Sequence, residues 1–148
     1  MRVVHVRTQE DLDVCLRIRK EVFVDEQNVP IAEEIDDQDV VGVGNHLYLV
    51  DDADTPVATA RFKPYDHQTA KIQRVAVRAD YRGQGFGRKV MEAVEAMAAD
   101  RGYAYAVLDA QCHAEGFYQG LGYQTISSEP FYDAGILHVK MRKRLKEA

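Results

Sequence analysis

Three closely spaced glycines are the most informative feature of the sequence. Gly83, Gly85 and Gly87 follow an apolar segment and precede a segment with helical periodicity. A helix that begins at such a turn leaves backbone N–H groups without intrahelical partners, and its dipole favours an anion there. Residues that lack a Cβ let the backbone approach a phosphate closely. The spacing therefore predicts a diphosphate-binding turn, with cationic side chains around it at Arg82, Arg88 and Lys89.

Two familiar phosphate-binding motifs fit this turn less well. A Walker A loop requires Lys and then Ser or Thr after its last glycine, whereas Gly87 is followed by Arg88 and Lys89. A Rossmann fingerprint has the spacing G-x-G-x-x-G after the first strand, whereas G-x-G-x-G stands here after the fourth predicted strand. On these residues alone, a plain helix start at a glycine turn remains the structural alternative.

The elements around the turn predict one α/β domain over residues 1–148, because 148 residues suffice for a single core. A long connection is expected at 24–44, where Pro30 and an acidic cluster break the periodicity, with a short helix near 32–39. Periodicity and turn residues place the other elements. Strands are predicted at 3–6, 46–50, 57–62, 71–78, 103–109 and 136–142, and helices at 9–22, from the turn to 101, and at 114–121.

Two motifs in the chain resemble the GNAT N-acetyltransferases. Arg82-x-x-Gly85-x-Gly87 matches the R/Q-x-x-G-x-G/A signature of that family, and residues 117–123 are similar to its F-Y-x-x-L-G-F/Y segment. Residues 22–27 and 110–115 most resemble the small ElaA-like branch. The order of predicted elements agrees over nearly the whole chain. The resemblance implies the α+β GNAT fold, in which about four helices flank a mixed, mostly antiparallel sheet of six to seven strands.

The resemblance also implies that acetyl-CoA is the cosubstrate. In the family, backbone amides of the glycine turn hold the pyrophosphate, and the pantetheine arm pairs with the fourth strand beside a gap to the fifth. Such pairing satisfies exposed strand groups, as β-augmentation does in other complexes. The coenzyme-binding residues implied here are Val75, Ala76, Val77, Arg82, Gly83, Gln84, Gly85, Phe86, Gly87, Arg88, Gln111 and Tyr118.

Acetyl transfer to an amine requires few side chains. A backbone N–H at Val75 or Val77 would stabilise the oxyanion of the tetrahedral state. By the resemblance, Tyr118 protonates the departing sulfur; the alternative is a buried aromatic whose hydroxyl bonds the backbone. Nucleophilic catalysis by Cys112 is disfavoured, because the family transfers the acetyl group directly and only His113 neighbours that thiol as a base.

The base that accepts the proton of the amine has three candidates. Glu26 lies in the acidic segment that resembles the acceptor-site loop of the family, Asp109 ends the fifth predicted strand, and His113 begins the short helix. Each also has a structural interpretation: a solvated acid, a cap for the following loop, or a support for the helix. The sequence leaves the choice open.

Charge and composition restrict the partners. Residues 1–60 carry 14 acids and 5 bases, while the remainder carries 10 acids and 14 bases, for a net charge of −5. That balance disfavours general nucleic-acid binding. No apolar run approaches the roughly 18 residues of a membrane helix, and the N-terminus lacks the pattern of a signal peptide, so we expect a cytoplasmic protein. No His-x-x-x-His or Cys-x-x-Cys spacing predicts a metal site.

The resemblance therefore implies an N-acetyltransferase that moves an acetyl group from acetyl-CoA to a primary amine of a small molecule or peptide. If the acidic segment 25–39 borders the acceptor site, its charge favours a cationic acceptor such as a polyamine, an aminosugar or a lysine-like amine. The alternative is a module that binds or senses acyl-CoA without catalysis. Family members are often homodimers, and the resemblance leaves a homodimer open.

Overall fold

The first four strands form an antiparallel meander. A computed structural model describes residues 1–145 of the chain. Each strand pairs with the next along the chain, so the first half of the sheet follows sequence order. The four strands are β1 (Arg2–His5), β2 (Asn45–Val50), β3 (Pro56–Pro64) and β4 (Thr69–Val77).

The second half of the sheet makes it mixed. β5 (Tyr105–Gln111) runs parallel to β4, and β8 (Ile136–Arg144) pairs antiparallel with β5. Two short strands, β6 (Gln124–Thr125) and β7 (Phe131–Asp133), both pair with β8. The order is β1-β2-β3-β4-β5-β8-β6, with β7 beside β8. The predicted fold class is confirmed, with eight strands in the described chain rather than six to seven; two- and three-residue strands show no alternation that sequence could reveal.

Within residues 1–145, four α-helices flank the sheet: α1 (Gln9–Arg19), α2 (Ile31–Glu34), α3 (Phe86–Asp100) and α4 (Glu115–Gly120). A wider π-helical segment, Lys20–Glu26, continues α1, and a 3₁₀ turn, Cys112–Ala114, precedes α4. The prediction that the short helix reaches residue 39 is wrong. Asp36 and Asp39 accept hydrogen bonds from arginines instead, so the chain turns there.

α1 begins at a side-chain cap. Thr8 Oγ1 accepts a hydrogen bond from Asp11 N at 3.2 Å, and Asp11 Oδ2 accepts one from Arg7 N at 3.1 Å. These two bonds satisfy backbone donors at the helix start, as in a capping box. α1 then buries Leu12 and Cys15 against the sheet.

The main core lies between α3 and the sheet. Val90, Val94 and Met97 form the buried stripe of α3, as their helical spacing predicts. They pack against inward-facing residues of the strands, including Phe62 and Leu108. A smaller cluster on the opposite face joins Ile18, Val22 and Ala76, so both faces of β4 are packed near its carboxyl end.

The strand β4 is irregular between Gln73 and Ala76, next to the residues predicted to hold the coenzyme. Thr59 pairs with Ala76, whereas Arg61 pairs with Gln73, so β4 contains one more residue than β3 between these two pairs. The extra residue forms a β-bulge. Arg74, within the bulge, has φ of 56°, in the left-handed region that non-glycine residues rarely adopt.

β4 and β5 diverge after a short parallel contact. Their pairing joins Thr69 to Tyr105, Ala70 to Ala106 and Lys71 to Val107. Beyond Lys71, the backbone edge of β4 that faces β5 borders a cleft instead of a neighbouring strand.

Candidate active site

The cleft between β4 and β5 is a cavity of about 770 Å³. Its walls come from β4, β5, the π-helical segment, the start of α3 and the region around α4. All four predicted catalytic residues line it, and so do six further residues predicted to hold coenzyme. These residues are Glu26, Asp109, His113 and Tyr118, with Val75, Ala76, Val77, Arg82, Gly87 and Gln111.

The glycine turn has the backbone that its composition predicts. Gly83 and Gly85 have φ of 77° and 86°, which glycine adopts without steric cost. Gly85 precedes the first residue of α3 and provides no side-chain cap, so the first N–H groups of this helix keep their donor capacity. Gly87 packs closely on another element, since a Cβ there would lie 3.2 Å from Phe117 Cζ. The turn therefore offers free backbone donors beside the cavity.

Arg82 joins three elements at the mouth of the cavity. Its Nε donates to Val77 O at 3.0 Å, which ties the turn to the end of β4. Its Nη1 lies 2.8 Å from Glu26 Oε1, in an ion pair with the π-helical segment. The carboxylate of Glu26 is consequently held by a cation in this structure.

Tyr118 projects from α4 into the cavity. Its ring contacts Phe117 and Tyr123 edge-on, with centroids 5.0 and 5.9 Å away. Burial raises the pKa of Tyr118 to about 12, so the phenol keeps its proton at neutral pH. Its hydroxyl bonds no group within residues 1–145, which leaves it available to a ligand.

Asp109 lines the cavity and lies between two lysines. Lys71 Nζ is 3.3 Å from Asp109 Oδ2, and Lys140 Nζ is 3.7 Å from Oδ1. Oδ1 is buried and has no hydrogen-bond donor among the described residues. The two lysines already pair with this carboxylate and would compete with an incoming amine for it.

His113 belongs to a hydrogen-bonded chain that crosses the cavity. Gln111 Nε2 donates to Gln27 Oε1 at 2.8 Å, and Gln111 Oε1 lies 2.7 Å from His113 Nε2. Because an amide oxygen only accepts, this arrangement assigns the proton of a neutral imidazole to Nε2. Nδ1 of His113 is then the nitrogen with a free lone pair.

The loop acids are mostly neutralised by neighbouring cations. Seven acidic residues lie between Asp25 and Asp39. Only Glu33 and Asp37 have no ion pair within the described chain. The negative potential of this segment at the cavity is therefore weaker than its formal charge indicates. The five ion-paired acids are Asp25, Glu26, Glu34, Asp36 and Asp39.

Three cavity residues of β4 were not among the predicted site residues: Lys71, Gln73 and Arg74. Lys71 and Gln73 alternate with the buried residues Ala70 and Ile72, so period-2 patterning could have assigned them to the open face of β4. Arg74 could not be assigned in this way, because the bulge interrupts the alternation.

The family model for the "Acetyltransferase (GNAT) domain" matches residues 8–145. The chain belongs to the GNAT family. A Bacillus subtilis relative, the uncharacterized N-acetyltransferase YjcF, is 38% identical over 143 residues that span 97% of this chain and 99% of that protein. The GNAT identity predicted from the two motifs is thereby confirmed.

Solved structures agree over almost the entire GNAT domain. The structure of Escherichia coli ElaA is 29% identical and superposes with a TM-score of 0.81, covering 96% of this chain and 98% of that one. An acyl-CoA N-acyltransferase from Pseudomonas aeruginosa is 30% identical with a TM-score of 0.82 over the same shares of the two chains. The resemblance to the ElaA-like branch is therefore confirmed.

Residues 1–145 contain neither a candidate metal cluster nor a membrane-spanning helix. No group of three or more His, Cys, Asp or Glu side chains in this range could hold a metal ion. No helix in this range is long and apolar enough to cross a membrane.

Proposed function

We propose that this GNAT protein is an enzyme that transfers an acetyl group from acetyl-CoA to a primary amine, with residues 1–148 acting as one catalytic domain. Family membership makes transfer from an acyl-CoA the class of reaction. The observation that carries the proposal is the convergence of a free β4 edge, a β-bulge and an uncapped helix start on one cavity. These are the backbone features that an acyl-CoA requires.

The described residues fit coenzyme A at both of its polar regions. The amide donors of Gly83, Gln84, Gly85, Phe86, Gly87 and Arg88 would bind the diphosphate, since they cluster at the positive end of the α3 dipole. The amide-containing arm would pair with the β4 backbone at residues 75–77. Arg82, Gln111 and Tyr118 would border the arm. When bound, the coenzyme supplies the activated acyl group.

Tyr118 is the proposed acid. Its hydroxyl is protonated at neutral pH, borders the cavity and has no competing partner within the described chain. A phenol in this state can donate its proton to a departing thiolate. A backbone N–H of the bulged segment 75–77 would stabilise the developing oxyanion.

His113 is favoured over Glu26 and Asp109 as the base that accepts the proton of the amine. Arg82 holds Glu26, and two lysines hold Asp109, so both carboxylates are already paired with cations. The hydrogen bond at Nε2 leaves Nδ1 of His113 with a lone pair, and an imidazole suits proton transfer near neutral pH.

The proposed acceptor is a primary amine that carries a second positive charge. With most of the acidic loop neutralised, this preference depends on two carboxylates that line the cavity without an ion pair in residues 1–145. These carboxylates belong to Glu33, in α2, and Asp133, at the end of β7. A diamine could place its reactive nitrogen in the cleft and its second charge near one of them.

The test is release of coenzyme A thiol from acetyl-CoA in the presence of a panel of amines. The panel contains a polyamine, an aminosugar and a lysine derivative, with neutral and carboxylate-bearing amines of similar length as controls. We expect amine-dependent thiol release that is fastest with the cationic amines and that slows in a Glu33→Gln, Asp133→Asn double variant. Equal or faster release with carboxylate-bearing amines would contradict the acceptor class. Coenzyme binding without thiol release for any amine would favour the non-catalytic module.

A further inference from the structure

Three arginines and three acids form a cluster beside the cavity, which we call the arginine clamp. Its acids come from the segment Glu34-x-Asp36-x-x-Asp39, and its arginines come from α1, β3 and the β4 bulge. The proposed chemistry above uses none of these side chains. The members of the clamp are Arg19, Arg61, Arg74, Glu34, Asp36 and Asp39.

Two of the arginines are buried and fix the acidic segment. Arg19 and Arg61 are each 1% exposed. Arg19 Nε donates to Glu34 Oε1 at 2.9 Å, and Arg61 Nη1 donates to Asp36 Oδ1 at 2.8 Å. Both arginines also bond Asp39, at 2.6 and 2.9 Å. Buried charges of this kind are retained only when each has partners, as these have.

The third arginine connects this cluster to the backbone of β4. Arg74 Nε donates to Glu34 O at 3.1 Å and lies 3.2 Å from Glu34 Oε1. Its Nη2 contacts Glu33 O at 3.4 Å and Asp36 Oδ2 at 3.5 Å. All of these partners lie in the acidic segment, so Arg74 joins the wall of the cavity to the bulge.

The backbone at Arg74 needs such support. Among the described strands, Arg74 is the one non-glycine residue with positive φ. This conformation is unfavourable for a side chain with a Cβ and persists only when the surroundings over-determine it. The bulge also redirects the residues that follow, because Val75 and Val77 pack toward the α3 core whereas Ala76 packs against α1.

We propose that Arg74 is a positioning residue for acyl transfer, in which the clamp holds the β4 bulge so that its N–H groups face the reacting carbonyl. This inference rests on the proposed function, because the same bulge supplies the oxyanion donor there. The contacts of Arg74 do not include the glycine turn. Loss of the clamp should therefore affect turnover more than coenzyme affinity.

The decisive variant is Arg74→Gly, which removes the clamp side chain while it permits positive φ. Relative to wild type, we expect kcat to fall at least about 10-fold while the Kd for coenzyme A changes less than about threefold. Hydrogen exchange at the amides of residues 75–77 should become faster. The control is Arg2→Gly, which replaces an exposed arginine of β1. It should leave kcat, the Kd for coenzyme A and hydrogen exchange at residues 75–77 unchanged.

Glu34→Gln is a second variant: the backbone carbonyl oxygen that Arg74 Nε contacts remains, while the carboxylate that pairs with both Arg74 and Arg19 is lost. We expect an intermediate loss of kcat from it, and a smaller loss in Arg74→Lys than in Arg74→Gly. Wild-type kcat and unchanged exchange in Arg74→Gly would overturn the positioning role, as would a parallel loss of kcat and coenzyme affinity. If the wild-type protein neither binds coenzyme A nor turns over, the proposed function is wrong. Faster hydrogen exchange at residues 75–77 in Arg74→Gly would then still show that the arginine clamp holds β4.

Discussion

At the residue scale, Tyr118 carries the proposed acid chemistry. Tyr118→Phe removes only the hydroxyl, so kcat should fall about 100-fold, a loss typical of a missing general acid, while the Kd for coenzyme A stays nearly constant. Steady-state kinetics and calorimetry measure the two quantities. Because burial raises its pKa to about 12, Tyr118 should cause no decline of kcat between neutral pH and about pH 11.

The adjacent Tyr123 is the matched control for that substitution. Its hydroxyl donates to Glu95 Oε2 at 2.8 Å, on the α3 side of the sheet and away from the cavity lining. Tyr123→Phe should lower the free energy of unfolding by about 1 kcal/mol, the usual value of one buried hydrogen bond, and leave kcat unchanged. Equal kcat losses in the two variants would remove Tyr118 from the acid role.

The two cysteines should differ in reactivity. Cys15 is 0% exposed, and burial raises the pKa of its thiol to about 11, so little thiolate forms at neutral pH. Cys112 is half-buried beside α4. A thiol-specific chromogenic disulfide should modify one cysteine rapidly in native protein and two in denaturant. Rapid modification of native Cys112→Ser protein would contradict the assignment of Cys15 as a buried and unreactive thiol.

At the element scale, α4 supports the cavity wall and contains a glycine in helical backbone. A Cβ at Gly116 would meet no atom of residues 1–145 within 4 Å. Gly116→Ala should therefore stabilise the protein by about 0.5–1 kcal/mol through reduced freedom of the unfolded chain. Thermal unfolding should show a Tm about 2–4 °C higher.

Gly122, just after α4, is a glycine at which alanine should destabilise the protein. Its φ is 98°, although a Cβ there would make only ordinary contacts with Lys143, the nearest at 3.5 Å. Gly122→Ala should lower the free energy of unfolding by about 1–2 kcal/mol, because alanine disfavours the left-handed region. If both alanine variants shift Tm in the same direction, the backbone assignment around α4 is wrong.

Sequence periodicity predicted the long elements and missed the short or irregular ones. α3 has a regular apolar stripe and was predicted with its glycine start. β6 and β7 are too short to alternate, and the helix predicted at 9–22 continues to Glu26 through π-helical backbone. The same holds for the residues of the site: those in a local motif could be predicted, and those brought together by distant contacts could not. The glycine turn could be found from local spacing, whereas the contact of Arg74 with Glu34 joins residues 40 positions apart across a bulge.

At the scale of the whole molecule, the arginine clamp predicts acid sensitivity. The hydrogen bond from Arg61 lowers the pKa of Asp36 to about 2, below its unfolded value of 3.8. Arg19 and neighbouring groups lower the pKa of Asp39, although burial opposes the shift. Since the folded state releases these protons more readily, their stabilisation is complete above pH 3.8 and is lost as pH falls toward about 2.

The variant Asp36→Asn tests this linkage. In wild type, Tm should decline steeply as pH falls from about 4 to 2; in Asp36→Asn it should start lower at neutral pH and decline less steeply. Asp54→Asn, at an exposed position in the β2–β3 turn, is the control and should retain the wild-type slope. Parallel profiles for wild type and Asp36→Asn would show that the Asp36 ion pair contributes nothing to acid stability.

Isothermal titration calorimetry with coenzyme A and acetyl-CoA measures whether the diphosphate binds at the start of α3, on which every proposed role depends. We expect saturable heat with one site per chain for both ligands. We also expect Gly87→Val, whose side chain must compete with Phe117 for space beside the turn, to weaken binding at least about 10-fold while the protein stays folded. Absence of binding heat with folded wild-type protein, or full affinity in a folded Gly87→Val variant, would rule out coenzyme binding at this turn.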